Sequence, residues 1–281
     1  MNSVIDYAGL FPPAGLEMAE AIRNYAQYEA GEWSWALGRF IVPISRLPEM
    51  LSCFAELPQN WHLSALAGAD PKSDLELLAD FNRRHASFVI DSVEMKTQSV
   101  EEINQARKLF PNRFRIFSEI PIADSPRPLL VALARGDGRA KVRTGGVTPE
   151  MFPSTAQLAR FILDCVKAQT PFKATAGLHH ALHSLHPLTD EPQSPSAMMH
   201  GFLNLLAASA FAYAGADAGI IEAILEENSI ESFKFEERGM IWRGRRLDNK
   251  LLREVRNRLF FSFGSCSFQG PISEMKALGV L

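Results

Sequence analysis

Several things this sequence has little of narrow what it can be. Cysteine is scarce. Cys53, Cys165 and Cys266 lie far apart and form no C-x-x-C pair, so neither a zinc ribbon nor a disulfide framework is supported. Long hydrophobic runs are missing as well. The most apolar stretch, residues 201–216, carries Asn204 and Ser209 and falls short of the ~18 residues a membrane candidate needs, so no membrane partner is expected. No basic stripe occurs, and a net charge of −3, from 29 Lys+Arg against 32 Asp+Glu, argues against nucleic acid as a partner. The opening residues lack a basic segment followed by an apolar core, so a cytoplasmic protein is expected. No G-x-G-x-x-G follows any apolar run, which removes the best argument for a dinucleotide-binding Rossmann domain.

What is present is a regular alternation. With 47% hydrophobic and 22% charged residues, the 281-residue chain is an ordinary folded protein, neither disordered nor a coiled coil. Short β-rich runs at 4–11, 39–43, 61–67, 87–95, 114–120, 140–144, 172–176 and 201–206 are spaced by one helix and two loops, as in βαβ units. Between them, 71–84 places Leu75, Leu78 and Phe81 on one helical face, and Ser99 three residues before Glu102 reads as a capping box. Leu158, Phe161, Ile162 and Cys165 repeat at helical spacing in 155–168. Eight such units predict a (β/α)₈ TIM barrel over residues 1–215. Residues 216–281 then supply the last barrel helix and a C-terminal extension: a helix, a hairpin turning at Gly239, an amphipathic helix and the tail 263–268. The acidic, Pro-rich loop 190–196 follows strand seven and reads as a flap on the catalytic side.

Charge stands where barrel strands are usually apolar. Outer strand faces pack on helices, so charged strand residues are expected to point inward. Strand four carries Asp91 and Glu94, strand five Glu119, strand six Lys141 and Arg143, strand seven Lys173 and Thr175. Period-two alternation puts Lys141 with Arg143 on one face, and Lys173 with Thr175 on one face of the neighbouring strand. Two confined ammonium groups repel, and burial disfavours charge, so lowered lysine pKa values and a nucleophilic amine are expected. Glu94 and Glu119 would balance charge or move protons, and Arg143 would clamp an anion. The competing expectation is an ion network that only fills the barrel. Asp6 near the end of strand one and Asn204 on the eighth run are candidate substrate contacts. Asp6 could equally tie down the first loop, and Asn204 could be a helix-interior amide.

The strings Lys141-Val142-Arg143-Thr144-Gly145-Gly146 and Lys173-Ala174-Thr175-Ala176-Gly177 resemble the paired lysine motifs of deoxyribose-phosphate aldolase-like class I aldolases. The resemblance implies that Lys141 forms a Schiff base, that Lys173 depresses its pKa, and that a strand-four aspartate, matched loosely by Asp91, serves a proton relay. It departs at Ala176 and Gly146, where the family has glycine and phenylalanine. The start (residues 6–13) and the tail also resemble bacterial proteins with no assigned activity.

A histidine cluster offers a rival. His179, His180, His183 and His186 follow strand seven, and on a helix the four-residue spacing of His179 and His183 could chelate a divalent metal with carboxylate help. His179 could instead move protons beside the lysines. The expectation is therefore a lyase of aldolase type without a cofactor, acting on a small anionic metabolite. The alternatives are a metal-dependent lyase or hydrolase using His179, His180 and His183, and a non-catalytic barrel. A homo-oligomer is compatible with all three.

Overall fold

Apolar strand faces of Val, Ile, Leu and Phe drive this chain into a barrel whose wall is buried on the outside by helices. In the computed structural model, which describes residues 2–53, 61–85, 88–189 and 193–281, strands β1 (Ile5–Tyr7), β2 (Leu37–Pro43), β3 (Trp61–Leu66), β4 (Phe88–Lys96), β5 (Arg115–Glu119), β6 (Arg139–Arg143) and β7 (Phe172–Thr175) pair in parallel. Helices α1 (Met18–Glu29), α2 (Leu47–Ser52), α3 (Pro71–Arg84), α4 (Val100–Leu109), α5 (Arg127–Ala134) and α6 (Thr155–Ala168) lie between them. A hairpin of β8 (Ser184–Pro187) and β9 (Ser196–Met199) precedes α7 (Phe202–Tyr213) and α8 (Ala218–Leu225). An antiparallel sheet of β10 (Phe233–Glu236), β11 (Gly239–Trp242) and β12 (Arg245–Asp248) leads to α9 (Asn249–Arg258), β13 (Phe260–Ser265) and α10 (Gln269–Ala277).

The barrel closes in the order β1-β13-β7-β6-β5-β4-β3-β2. It is a (β/α)₈ barrel, but its eighth strand is not the 201–206 run. That run lies in α7, whose Leu203, Leu205, Ala208 and Phe211 are all buried. A helix apolar all round has no amphipathic period, and a short apolar run cannot be told from a strand by periodicity. The closing strand comes from the segment expected to be an extension. β13 pairs with β1 through Phe263, Gly264 and Ser265, and with β7 through Phe260. Its Phe263 stacks on Phe202 of α7, with ring centroids 5.1 Å apart. Burying a phenylalanine contributes about 1.5–3 kcal/mol, enough to hold a Ser- and Gly-containing strand in place.

Local signals end the helices where the sequence places them. Asp70 caps α3 by accepting from Lys72 and Ser73 N–H. Ser99 caps α4, but Glu102 reaches past it to the N–H of Gln98, so the reciprocal box expected there does not form. The capping box belongs to α6, where Ser154 and Gln157 exchange both bonds. Gly239 has φ 145°, and a Cβ there would lie 2.0 Å from the Leu247 carbonyl oxygen, so only glycine fits that hairpin edge. Of the expected flap, residues 190–192 lie outside the described residues. No helix among the described residues is long and apolar enough to cross a membrane.

Candidate active site in the barrel interior

Strand alternation delivers the expected inward charges, and register aligns them. Lys141 on β6 pairs directly with Lys173 on β7, and Arg143 pairs with Thr175. Lys173 Nζ donates to Asp6 Oδ2 at 2.5 Å and to Glu94 Oε1 at 2.7 Å. Lys141 Nζ stands 2.9 Å from Glu94 Oε2 and 3.0 Å from Glu119 Oε2. Arg143 Nε completes the series on Glu119 Oε1 at 2.9 Å. Three cations and three carboxylates alternate in one chain, from Asp6 through Lys173, Glu94, Lys141 and Glu119 to Arg143.

The centre of this chain is dry. The Glu94 and Lys173 side chains are 1% exposed and Lys141 6%, whereas Arg143 is 38% exposed. Two lysines sharing one glutamate are thus the deepest part of the site. Ser64 adds a hydrogen bond to Glu94 Oε1 at 2.7 Å, and Ser262 adds one to Asp6 Oδ2 at 2.6 Å. Both lysines touch carboxylates on either side, yet they are not held alike. The Lys173 contacts are 2.5 and 2.7 Å long, whereas those of Lys141 are 2.9 and 3.0 Å. Lys141 is the looser of the two.

The electrostatics depart from the expected lysine repulsion. Burial works against the Lys173 charge, but Asp6 and Glu94 outweigh it and raise the pKa above the ordinary lysine value. Burial likewise opposes charge on Glu94, yet Lys141 and Lys173 hold it well below the usual carboxylate range. Glu119 is lowered by Lys141 and Arg143 against its own burial. At Lys173 the attraction of two carboxylates therefore outweighs the cost of burial.

Asp91 does not join this chain. The β3–β4 register slips between Leu63 and Ser64, leaving Asp91 as an extra residue opposite that step. It faces the N-terminal end of the barrel, where Arg39 Nε and Nη2 bond both of its oxygens at 2.9–3.1 Å. The strand-four carboxylate beside the lysines is Glu94. Asp6 sits within β1 in the interior and also accepts the Arg39 N–H at 2.8 Å, so it does not anchor the first loop. Asn204 lies on α7, fully buried, bonded to His183 N–H and to the carbonyls of Ile224 and Glu227. It ties helices together, and with both amide protons used and the side chain fully buried it is not open to a ligand.

The motif glycines have a packing role. A Cβ on Gly145 would lie 2.8 Å from Gly177 Cα, and the reverse clash is equal, so the ends of β6 and β7 meet only because both lack side chains. Ala176 keeps a left-handed φ of 62°, a conformation that costs a residue with a Cβ about 1–2 kcal/mol. Thr144 Oγ1 bonds the Ala176 carbonyl at 2.5 Å and fixes that turn.

The histidines do not converge. Residues 176–183 form bends instead of a helix, so the four-residue spacing brings no pair to one face. His179 Nδ1 faces Cys266 Sγ at 3.8 Å. His180 lies 3.3 Å from Glu274 and stacks on His186, and His183 stacks on His200. Among the described residues no group of three or more His, Cys, Asp or Glu is placed to hold a metal ion. The Cys266–His179 pair, at the C-terminal ends of β13 and β7, escaped the sequence reading because its partners are distant in sequence. It is not an activated pair, since burial raises the thiol pKa and lowers that of His179.

Two cavities flank the ion chain. At the C-terminal ends of β4–β6 a recess of about 470 Å³ is lined by Lys96, Glu119, Arg143 and Phe152. At the opposite mouth a cavity of about 1130 Å³ has Asp6 and Lys173 on its floor and arginines around it. One of these, Arg139, was legible: it precedes Lys141 by two residues on β6 and so shares its inward face. No family model, no curated protein and no solved structure matches this chain.

Proposed function

We propose that the protein is a lyase of aldolase type, in which Lys141 forms a Schiff base with a small anionic carbonyl compound. The observation that carries this reading is the pair of register-matched buried lysines sharing Glu94, with Lys141 the less firmly held. The substrate enters the C-terminal recess, the side on which barrel enzymes place their chemistry. Its anionic group takes the Arg143 guanidinium, whose fork suits a carboxylate or phosphate, and Glu119 is freed from that pair.

Glu119 then accepts a proton from Lys141, and the free amine attacks the carbonyl carbon. The carbonyl oxygen becomes a hydroxyl using that proton, and the attacking nitrogen gives up a second proton to Glu94 or Glu119. That proton is returned to the hydroxyl, which leaves as water as the C=N bond forms. The product is a protonated Schiff base, so Lys141 carries one positive charge before and after the step. The balance of three cations and three carboxylates is preserved, which avoids the cost of an unpaired buried charge. The iminium draws the electron pair of the adjacent C–C bond as a carboxylate removes the proton of the β-hydroxyl. The aldehyde departs, the enamine is protonated at carbon, and water releases the second product. Lys173 stays protonated throughout and keeps Glu94 in place.

The test is borohydride reduction in the presence of a panel of small aldehydes and keto acids, read by intact mass. A mass gain equal to one reduced carbonyl adduct is expected, absent in Lys141→Ala. A gain retained in Lys141→Ala contradicts the assignment.

A further inference from the structure

The N-terminal mouth of a (β/α)₈ barrel is ordinarily the face of stability, not of binding. Here it holds the larger cavity, about 1130 Å³, at the upper end of what a metabolite occupies. Its charge is unbalanced. The carboxylates that line it are already committed: Asp6 to Lys173, Asp91 to Arg39, Glu29 to the Trp61 indole N–H at 2.6 Å, and Glu236 to Arg246 at 2.9 Å. Apart from Arg39, the arginines are not. Arg115 reaches Asp91 only at 3.9 Å, and Arg139, Arg253 and Arg256 have no carboxylate partner among the described residues.

Two of these guanidiniums, Arg256 and Arg139, are nevertheless held in position. Arg256 bonds the carbonyls of Phe260, Phe261 and Asn2, which fixes its fork but leaves its charge uncompensated. Burial lowers its pKa to about 10, which still leaves it charged at neutral pH. Arg139 lies over the rings of Phe117 and Phe261, 6.0 and 5.6 Å from their centroids, with Nη1 on the Asp137 carbonyl. Its Nε is buried and has no hydrogen-bond acceptor. The walls opposite come from β10, β11 and α9, with Phe235, Met240 and Leu252 giving an apolar side.

We propose that this mouth is a second binding site, for an organic anion of metabolite size bearing two or more phosphate or carboxylate groups. Arg115, Arg139, Arg253 and Arg256 supply the charge, and the apolar wall takes the carbon skeleton. The site goes beyond the Schiff-base reading and does not use Lys141, which does not line the cavity, although Asp6 and Lys173 of the ion chain form its floor.

The test is calorimetric titration of the full-length protein with pyrophosphate and, separately, with citrate. Saturable binding of at least one probe is expected, and the tighter probe tells a phosphate ligand from a carboxylate one. Arg139→Gln should weaken that probe about tenfold, the loss of one good charged contact. Arg253→Gln, on the exposed face of α9, should weaken it several-fold without touching the interior. Arg113→Gln, an exposed arginine against Phe114 outside the cavity, should leave it unchanged. The proposal is overturned if neither probe binds saturably, or if Arg139→Gln and Arg253→Gln bind as the wild type does. A loss of binding in Arg113→Gln equal to that in Arg253→Gln would mark general surface attraction and overturn it too.

Discussion

The middle of the barrel and its N-terminal mouth handle charge in opposite ways. In the middle, six charged groups alternate in sign and each lysine meets two carboxylates, so charge is buried because it is paired. At the mouth, guanidiniums gather around committed carboxylates and stay open to solvent in part, with Arg115 51% exposed. A buried pair is costly to break and a half-exposed excess is cheap to remove. The first region is built to hold one arrangement; the second is left waiting for a counter-charge.

The comparison breaks most sharply at Glu94. Glu94→Gln removes the one carboxylate that both lysines share and leaves two buried ammoniums facing each other. A loss of about 3–5 kcal/mol is expected, measured by urea unfolding. If Glu94→Gln unfolds within about 1 kcal/mol of wild type, the interior is not paired as described.

Titration separates the regions next. Burial lowers the His200 pKa to about 4 and, with a contribution from His180, also lowers that of His179. A depressed histidine stabilises the fold above its unfolded value of roughly 6.5, and that stability is lost as pH falls toward about 4. Glu94 and Glu119 are depressed as well, so their contribution is present above the unfolded value of roughly 4.3 and disappears only below it. Lys173 is raised, so its share is complete below roughly 10.4 and is lost as pH rises through its folded value. Tyr7, pushed up to about 12 by burial, acts in the same direction above pH 10. Burial also raises the Cys165 and Cys266 thiols, so their contribution is lost as pH rises above the unfolded value of roughly 8.5. Stability is therefore expected to be flat only between about pH 7 and 8. On the acid side it should fall in two stages, and His200→Gln should flatten the first. A single acid step below pH 4 in the wild type would count against the buried histidines.

The smallest effect belongs to the mouth. Arg139→Gln is expected to change unfolding free energy by no more than about 1 kcal/mol, and the difference should shrink with added salt as the remaining arginines are screened. A loss as large as that of Glu94→Gln would mean that the mouth is a structural network after all.

How much of this was legible follows from what each signal depends on. The barrel was readable because strand and helix alternate regularly, and the interior ions because period-two alternation places Lys141, Arg143 and Lys173 on inner faces. The closing strand was not. Phe260–Ser265 is short and broken by serine and glycine, and it follows a sheet and a helix that disguise it as a tail, whereas the fully buried α7 mimics a strand. Asp91 was misplaced because a bulge on β4 breaks strict alternation. The histidine spacing suits a metal only on a helix, and residues 176–183 form bends. Arg256 at the mouth was hidden because it comes from a helix more than a hundred residues beyond Arg139.

The most direct test of the account is a peptide map of protein reduced with borohydride in the presence of a reactive carbonyl compound. The account predicts the adduct on Lys141 and none on Lys173, because Lys173 stays protonated between Asp6 and Glu94. An adduct on Lys173, or one spread over surface lysines with Lys141 unmodified, would contradict it.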